Sequence, residues 1–375
     1  MSRLDDLIQE LCPYGVPFLK LREIGRVRMC KRILKSQTNN VAGIPFYKIG
    51  TFGGIANTFI SEDLFNEYKT KYSYPKKGDI LISCSGTIGK TIVFDGEPSY
   101  FQDSNIVWLE HAEDIMLNKY LYYFYSTHPW KISSGGTISR LYNENILETY
   151  IPIPPLPVQE EIVRILDNFT ELTAELTAEL TARKKQYEYY KEKLFSFNDS
   201  VRYKSLENVL KIRNGKDYKH LKSGNIPVYG SGGIMTFVDK AVYDKPSVLI
   251  PRKGSLNKLY FVDRPFWNVD TIFYTEINSS IVNPKFVYYY LQTQKLERLN
   301  KAGGVPSLTQ SVLNKVKIPI PPLEEQQRIV NILDRFDKLC NDITEGLPAE
   351  IEARQKQYEY YRDKLLTFKP LEEVK

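Results

Sequence analysis

Cysteine and histidine are scarce in this chain: four of one and three of the other in 375 residues. Cys12, Cys30, Cys84 and Cys340 are scattered, no two at C-x-x-C spacing, and His111, His128 and His220 form no cluster with them, so no metal site is expected and the thiols read as reduced and incidental. No run approaches the roughly 20 consecutive apolar residues of a membrane helix. The opening residues, Met1-Ser2-Arg3-Leu4-Asp5-Asp6, lack the basic-then-apolar layout of a signal peptide, and the expected location is the cytoplasm with no membrane partner. Catalytic signatures are missing too. Asn283-Pro284-Lys285-Phe286 lacks the second proline of an N-P-P-F methyltransferase motif, and no F-x-G-x-G, helicase motif, P-D…E-x-K core or Ser/His/Asp arrangement can be assembled. No catalytic residue is therefore expected.

What the chain does hold is ample apolar material, 42% of residues, with 26% charged. At this length two or three domains are expected. The net charge of +6 hints mildly at a polyanionic partner.

An internal duplication organises the sequence. IPIPPL occurs at 151–156 and again at 318–323. VQEEIVRILDNF follows the first copy and EEQQRIVNILDRF the second. KKQYEYYKEKLFSF (184–197) matches QKQYEYYRDKLLTF (355–368). Each copy reads as a long helix. In the first, Ile162, Leu166, Phe169, Leu172, Leu176, Leu180, Tyr187, Tyr190 and Leu194 recur mostly at steps of three or four, marking one face. The second gives Ile329, Leu333, Phe336, Leu339, Ile343, Leu347, Ile351, Tyr358, Tyr361 and Leu365, with Gly346 and Pro348 expected to kink or break it. A helix of this length spans about 57 Å, and so long an apolar stripe is best buried by pairing the two copies antiparallel.

The segments between the helices are β-branched and aromatic runs broken by Gly, Asn, Ser and Pro. They are weakly alike: IPFY (44–47) with IPVY (226–229), ILISCSG (80–86) with VLIPRKG (248–254), SGGTISRL (134–141) with AGGVPSL (302–308). The expected fold is α+β: two mixed α/β domains at 1–150 and 198–317, separated by helical segments at 151–197 and 318–375 that form an antiparallel coiled coil. Helices far more alike than domains imply one scaffold carrying two binding specificities. Charge divides the same way. The two helical segments are net −2 and −3, leaving +11 on everything else.

Residues 84–91, CSGTIGKT, nearly match a phosphate-binding loop. Cys84 replaces the first glycine, and a strand rather than a helix follows Lys90, so the segment reads as a hairpin turn with Lys90 free to reach a phosphate. Candidate nucleic-acid contacts are loop bases and amides, arginine suiting guanine edges and asparagine or glutamine adenine. In the first domain they are Arg26, Arg28, Lys31, Arg32, Gln37, Asn39, Asn40, Lys90 and Arg140. In the second they are Arg213, Asn214, Lys216, Lys219, Arg252, Lys253, Asn257 and Lys258.

The duplicated helix segments, together with GDILIS…GTIGK and GGTISRL in the first domain, resemble the DNA-specificity subunits of type I restriction–modification systems over nearly the whole chain. The resemblance implies a reader of a bipartite double-stranded DNA target and no cofactor of its own. It implies two methylation subunits using S-adenosylmethionine and two restriction subunits using ATP with magnesium. The methylation subunits are expected on the outer helix faces near the Tyr-rich ends, where Tyr189 and Tyr360 lie off the apolar stripe. A competing reading is a tandem coiled-coil scaffold for protein or glycan ligands. The run LTAELTAEL (172–180) repeats a four-residue unit, as in some members of that family.

Overall fold

The structure, a computed structural model, describes residues 3–131, 139–254, 256–299 and 307–371. The chain forms two compact units: Met1–Glu175 with Glu352–Lys375, and Leu176–Ile351.

Unit 1 carries strands β1 (Phe18–Lys20), β2 (Arg26–Arg28), β3 (Ile44–Tyr47), β4 (Phe59–Ile60), β5 (Ile80–Ser83), β6 (Thr91–Val93), β7 (Tyr100–Phe101), β8 (Ile106–Glu110) and β9 (Tyr150–Pro152). Unit 2 carries β10 (Tyr203–Ser205), β11 (Leu210–Asn214), β12 (Ser223–Gly230), β13 (Gly233–Val238), β14 (Ser247–Pro251), β15 (Tyr260–Val262), β16 (Trp267–Asn268), β17 (Ile272–Ile277) and β18 (Lys317–Pro319). The helices are α1 (Arg3–Leu11), α2 (Leu21–Ile24), α3 (Glu62–Lys71), α4 (Asn118–Tyr125), α5 (Asn143–Leu147), α6 (Leu156–Leu194), α7 (Pro284–Thr293), α8 (Gln310–Asn314), α9 (Leu323–Asn341) and α10 (Leu347–Leu365).

The duplication holds strand by strand. Unit 1 has sheets β2-β8-β5-β6, β4-β3-β7 and β1-β9; unit 2 has β11-β17-β14-β15, β13-β12-β16 and β10-β18, the same orders with each strand number raised by nine. Among the described residues each unit has a single parallel pairing between its strands, β3 with β7 and β12 with β16. The central strands explain why the sequence there is apolar without alternation. Ile80 and Ile82 of β5 pack on one side with α4 and the start of α6, while Leu81 packs on the other with Phe46, Tyr100 and Trp108. In β14, Val248 and Ile250 face α7 and α9, and Leu249 faces Tyr229 and Phe266. A strand buried on both faces needs an unbroken hydrophobic run.

Two polar devices fix each long helix to its module. Gln159, fully buried, accepts from Leu117 N (2.9 Å) and donates to the carbonyls of Ile115 and Pro154 (2.8 Å each). Gln326, also fully buried, accepts from Asn283 N (2.7 Å) and donates to Ile281 O (3.2 Å) and Pro321 O (2.8 Å). Two turns further on, Asp167 takes Tyr123 Oη (2.7 Å) and Lys119 Nζ (2.5 Å), and Asp334 takes Tyr289 Oη (2.6 Å) and Lys285 Nζ (2.7 Å). Helix α7 begins locally: Asn283 caps it by accepting from Lys285 N, and Pro284 occupies the first turn, where its missing N–H costs nothing.

Helix α6 runs unbroken for 39 residues. In unit 1 its Phe169 stacks on Tyr361 of α10 (5.5 Å between centroids), and in unit 2 its Tyr187 and Tyr190 stack on Phe336 of α9 (5.9 and 5.7 Å). Early α6 meets the end of the C-terminal helical segment and late α6 its beginning, which is the order of an antiparallel coiled coil. The second copy does break where expected. Between α9 and α10 the Asp342 carboxylate accepts from Thr344 Oγ1 (2.6 Å), Thr344 N (2.7 Å) and Glu345 N (3.2 Å), bonds that hold it below the usual carboxylate range. A Cβ on Gly346 would lie 2.5 Å from Lys338 O, so only glycine fits there. Ile343, expected on the apolar stripe, sits in this break and is 77% exposed.

Candidate nucleic-acid interface

In unit 1 the loops after β5 and before β8 meet at one end of the four-stranded sheet. Cys84 N donates to Asn105 O (2.7 Å), Ser85 Oγ to Asn105 Oδ1 (2.9 Å), and Leu141 N to Cys84 O (2.9 Å). Ile49 N donates to Gln102 Oε1 (3.0 Å), which draws in the loop after β3. Two adjoining polar clefts open here. One, of about 290 Å³, is lined by Arg32, Lys35, Lys48 and Gln102 among others; the second, of about 580 Å³, shares Lys48 and Gln102 and adds Asn40 and Asn57.

This arrangement gathers some of the expected contact residues and leaves others outside. Arg32 lines the first cleft with its Nε on Asp103 Oδ2 (2.8 Å), and Asn40 lines the second. Arg140 lies beside the same loops, its Nη2 donating to Ser104 O (2.7 Å). The 84–91 segment turns between the antiparallel strands β5 and β6, and no helix follows it. Lys90 is not free as expected, because its Nζ donates to Phe52 O (2.7 Å). Arg26 and Arg28 belong to the opposite end of the sheet, where Arg28 Nε holds Glu110 Oε2 at 2.7 Å. Lys31 lies over the Tyr72 ring (5.1 Å). Gln37 and Asn39 shape the loop: Gln37 Oε1 accepts from Leu34 N, and Asn39 Oδ1 from Val41 N and Ala42 N. Lys35, Lys48 and Gln102 were missed by sequence reasoning.

Unit 2 repeats the construction. Arg252 N donates to Thr271 O and Leu308 N to Arg252 O (2.9 Å each), matching the Cys84 bonds. Gly86 and Gly254 occupy equivalent turns, both in the left-handed region (φ +65° and +83°). Lys258 Nζ reaches Gly232 O (3.3 Å), as Lys90 reaches Phe52 O. Arg213 grips Glu276 through Nε and Nη2 (3.0 Å each), as Arg28 grips Glu110. Asn214 accepts weakly from Gln310 (3.4 Å), and Lys216 is held by its backbone, its carbonyl accepting from Trp267 Nε1 (2.9 Å). The Arg252 guanidinium lies 5.8 Å from the Phe273 ring centre. Lys216, Lys219, Lys253, Asn257 and Lys258 are exposed on these loops. The Gly-rich segments 134–138 and 302–306 lie outside the described residues.

The buried thiols offer no nucleophile, since burial pushes Cys84 up to about 11 and Cys30 up to about 12. Among the described residues no group of three or more His, Cys, Asp or Glu could hold a metal ion, and no helix is long and apolar enough to cross a membrane. Tyr189 and Tyr360 are 59% and 62% exposed, and each rests edge-on against the next tyrosine, Tyr190 or Tyr361, whose ring stacks on Phe336 or Phe169 respectively.

Two copies of one module, each ending in a cluster of basic and amide-bearing loops and fixed to a shared helical support, define a two-headed binding protein. The family model for the type I restriction modification DNA specificity domain matches residues 13–183 and 198–353, and the chain belongs to that family. A type I restriction enzyme specificity subunit from Escherichia coli is 38% identical over 347 residues, covering 82% of this chain and 85% of that one. A Haemophilus influenzae protein described in the same terms is 58% identical over 184 residues, a match spanning 48% of each chain. The fold matches the crystal structure of a type I system S subunit from M. genitalium with a TM-score of 0.60 at 18% identity, over 94% of this chain and 96% of that one. The protein is a type I specificity subunit; the reading as a scaffold for protein or glycan ligands finds no support in these relatives.

Proposed function

We propose that this chain is the non-catalytic DNA reader of a methyltransferase–endonuclease complex, each unit reading one half of a bipartite double-stranded target. The observation that carries this reading is the contrast within the duplication. Strand pairing, helix clamps and several side-chain bonds recur in both units, whereas the side chains at the loop ends differ. Two frames with the same strand pairing and different tips fit two half-sites of different sequence. The basic loops supply the phosphate contacts that position a duplex, and the amide and guanidinium groups supply base readout. The chemistry then belongs to partners: two methylation subunits binding S-adenosylmethionine and two restriction subunits using ATP with magnesium.

The reading is tested by mapping modified adenines in the host genome with and without this gene. Loss of one bipartite motif is the expected result; an unchanged map in an active system overturns it. Exchanging residues 198–317 for those of a relative is expected to change one half of the motif and keep the other. Both halves changing together would count against independent reading.

Tyr189 and Tyr360 fit docking of the methylation subunits, because each aromatic side chain is more than half exposed. Tyr189→Ala with Tyr360→Ala is expected to leave the unfolding temperature within a few degrees of the native value. Copurification of the methylation subunit should fall steeply, since buried aromatic anchors at interfaces are worth about 2 kcal/mol or more each. Undiminished copurification would place the docking surface elsewhere.

A further inference from the structure

The duplication separates what the units share from what they do not. A side chain doing the same thing in both units cannot tell two half-sites apart, which sets aside the Arg28–Glu110 and Arg213–Glu276 pairs and the Lys90 and Lys258 bonds to backbone carbonyls. One place differs in an ordered way. The Leu141 N–Cys84 O bond and the Leu308 N–Arg252 O bond are the same bond in the two units. They set residue 140 beside 85 and residue 307 beside 253, and Lys253 and Ser307 form a β-bridge. Unit 1 has Ser85 and Arg140 there; unit 2 has Lys253 and Ser307. Each unit thus holds one serine and one cation in this seat, with the strands that supply them exchanged.

The two cations are presented differently. Arg140 is half-buried and oriented: Nη2 donates to Ser104 O (2.7 Å), the guanidinium lies 5.9 Å from the Tyr142 ring centre, and its other N–H groups have no partner among the described residues. Lys253 is exposed, and its ammonium has no partner among the described residues. A guanidinium fixed on one edge keeps a planar fork for a bidentate acceptor pair, whereas an ammonium on a flexible stem is a point charge.

Resting on the DNA-reading function above, we propose that Arg140 and Lys253 occupy the same seat in the two units and set the half-sites apart. Arg140 fixes one position of its half-site as guanine through O6 and N7. Lys253 contacts the equivalent position of the other half-site with weaker discrimination.

The test maps modified adenines in a host carrying the complete system, with the native chain and four variants. Arg140→Ser is expected to relax one base position in one half-site, with discrimination against the wrong base falling on the order of tenfold or more. Arg140→Lys, which keeps the charge, is expected to retain modification while relaxing the same position, so a folding defect in Arg140→Ser does not hide the answer. Lys253→Ser is expected to act on the other half-site alone. Ser85→Lys combined with Arg140→Ser transplants the unit 2 arrangement into unit 1 and is expected to show the weaker, lysine-type discrimination at that one position, with the other half-site unchanged. Arg140→Lys leaving the motif fully stringent, or either serine variant altering both halves or lowering modification equally at all sites, overturns the proposal. A native chain that directs no motif at all sinks the DNA-reading function itself, a separate and visible outcome.

Discussion

Replacing Gln159 by leucine is expected to destabilise unit 1 by about 3 kcal/mol, at roughly 1 kcal/mol for each buried group left unbonded. Leucine has nearly the right volume, so the effect is not one of a hole. It is that Leu117 N–H and the carbonyls of Ile115 and Pro154 lose the amide that satisfies all three. Water cannot take its place, because the side chain is fully buried. The same substitution at Gln326 is expected to act on unit 2 by a similar amount, and the two effects should add, since the residues share no partner. At roughly 2–4 °C per kcal/mol for a unit of this size, each variant should lower one unfolding transition by about 6–12 °C. Calorimetry on the full chain is the measurement, and a shift under about 2 °C would mean that the clamp contributes little.

Deleting Thr173-Ala174-Glu175-Leu176 is expected to shorten the spacer between half-sites by about one base pair while leaving both half-sites unchanged. The deletion removes about 6 Å of helix and about 40° of rotation beyond one full turn. Against a base-pair step of about 3.4 Å, that is one to two base pairs before the coil relaxes. Local sequence hardly changes, because Thr177-Ala178-Glu179-Leu180 slides into the vacated place. The Thr173 Oγ1 bond to Phe169 O (2.8 Å) can be remade by Thr177. The division between the two compact units falls between Glu175 and Leu176, inside this run, so the deletion touches the joining helix and neither module's sheets. The readout is the modified-site motif of the variant. An unchanged spacer at full activity would show that α6 is not the ruler.

The helices were legible because a stripe of leucines and tyrosines at helical spacing is a local signal, and the Gly346–Pro348 interruption is equally local. The central hairpins around 78–96 and 246–263 were legible for the same reason. The loop chemistry was not. Whether Arg28 is a free cation depends on Glu110, 82 residues away, and whether Arg213 is depends on Glu276, 63 residues away. Those distances are bridged by sheet register, which the sequence does not print. Strands of two residues, such as Phe59–Ile60 and Tyr100–Phe101, are too short to show any period, so the cleft they help to form around Lys48 was invisible. The buried glutamines were within reach. Aligning the two helix copies superimposes Gln159 on Gln326, and a glutamine kept in both copies beside the apolar stripe is a recognisable clamp.

The two units differ in how the chain supplies them. Unit 2 is one continuous stretch, Leu176–Ile351, whereas unit 1 is assembled from both ends of the sequence. Tyr358 packs near Tyr123, Arg362 Nη1 donates to Ser126 O (3.1 Å), Leu366 enters the unit 1 core, and Val16 N donates to Lys369 O (2.9 Å). On the ribosome this inverts the order in which the modules mature. The second module to be translated has all its parts as soon as Ile351 emerges, while the first waits, its helix stripe uncovered around Val163 and Leu166, until the segment from Glu352 onward is made. Truncation near residue 350 should therefore leave a protease-resistant core from unit 2 and a digestible first module, although the first module's sheets are intact in sequence.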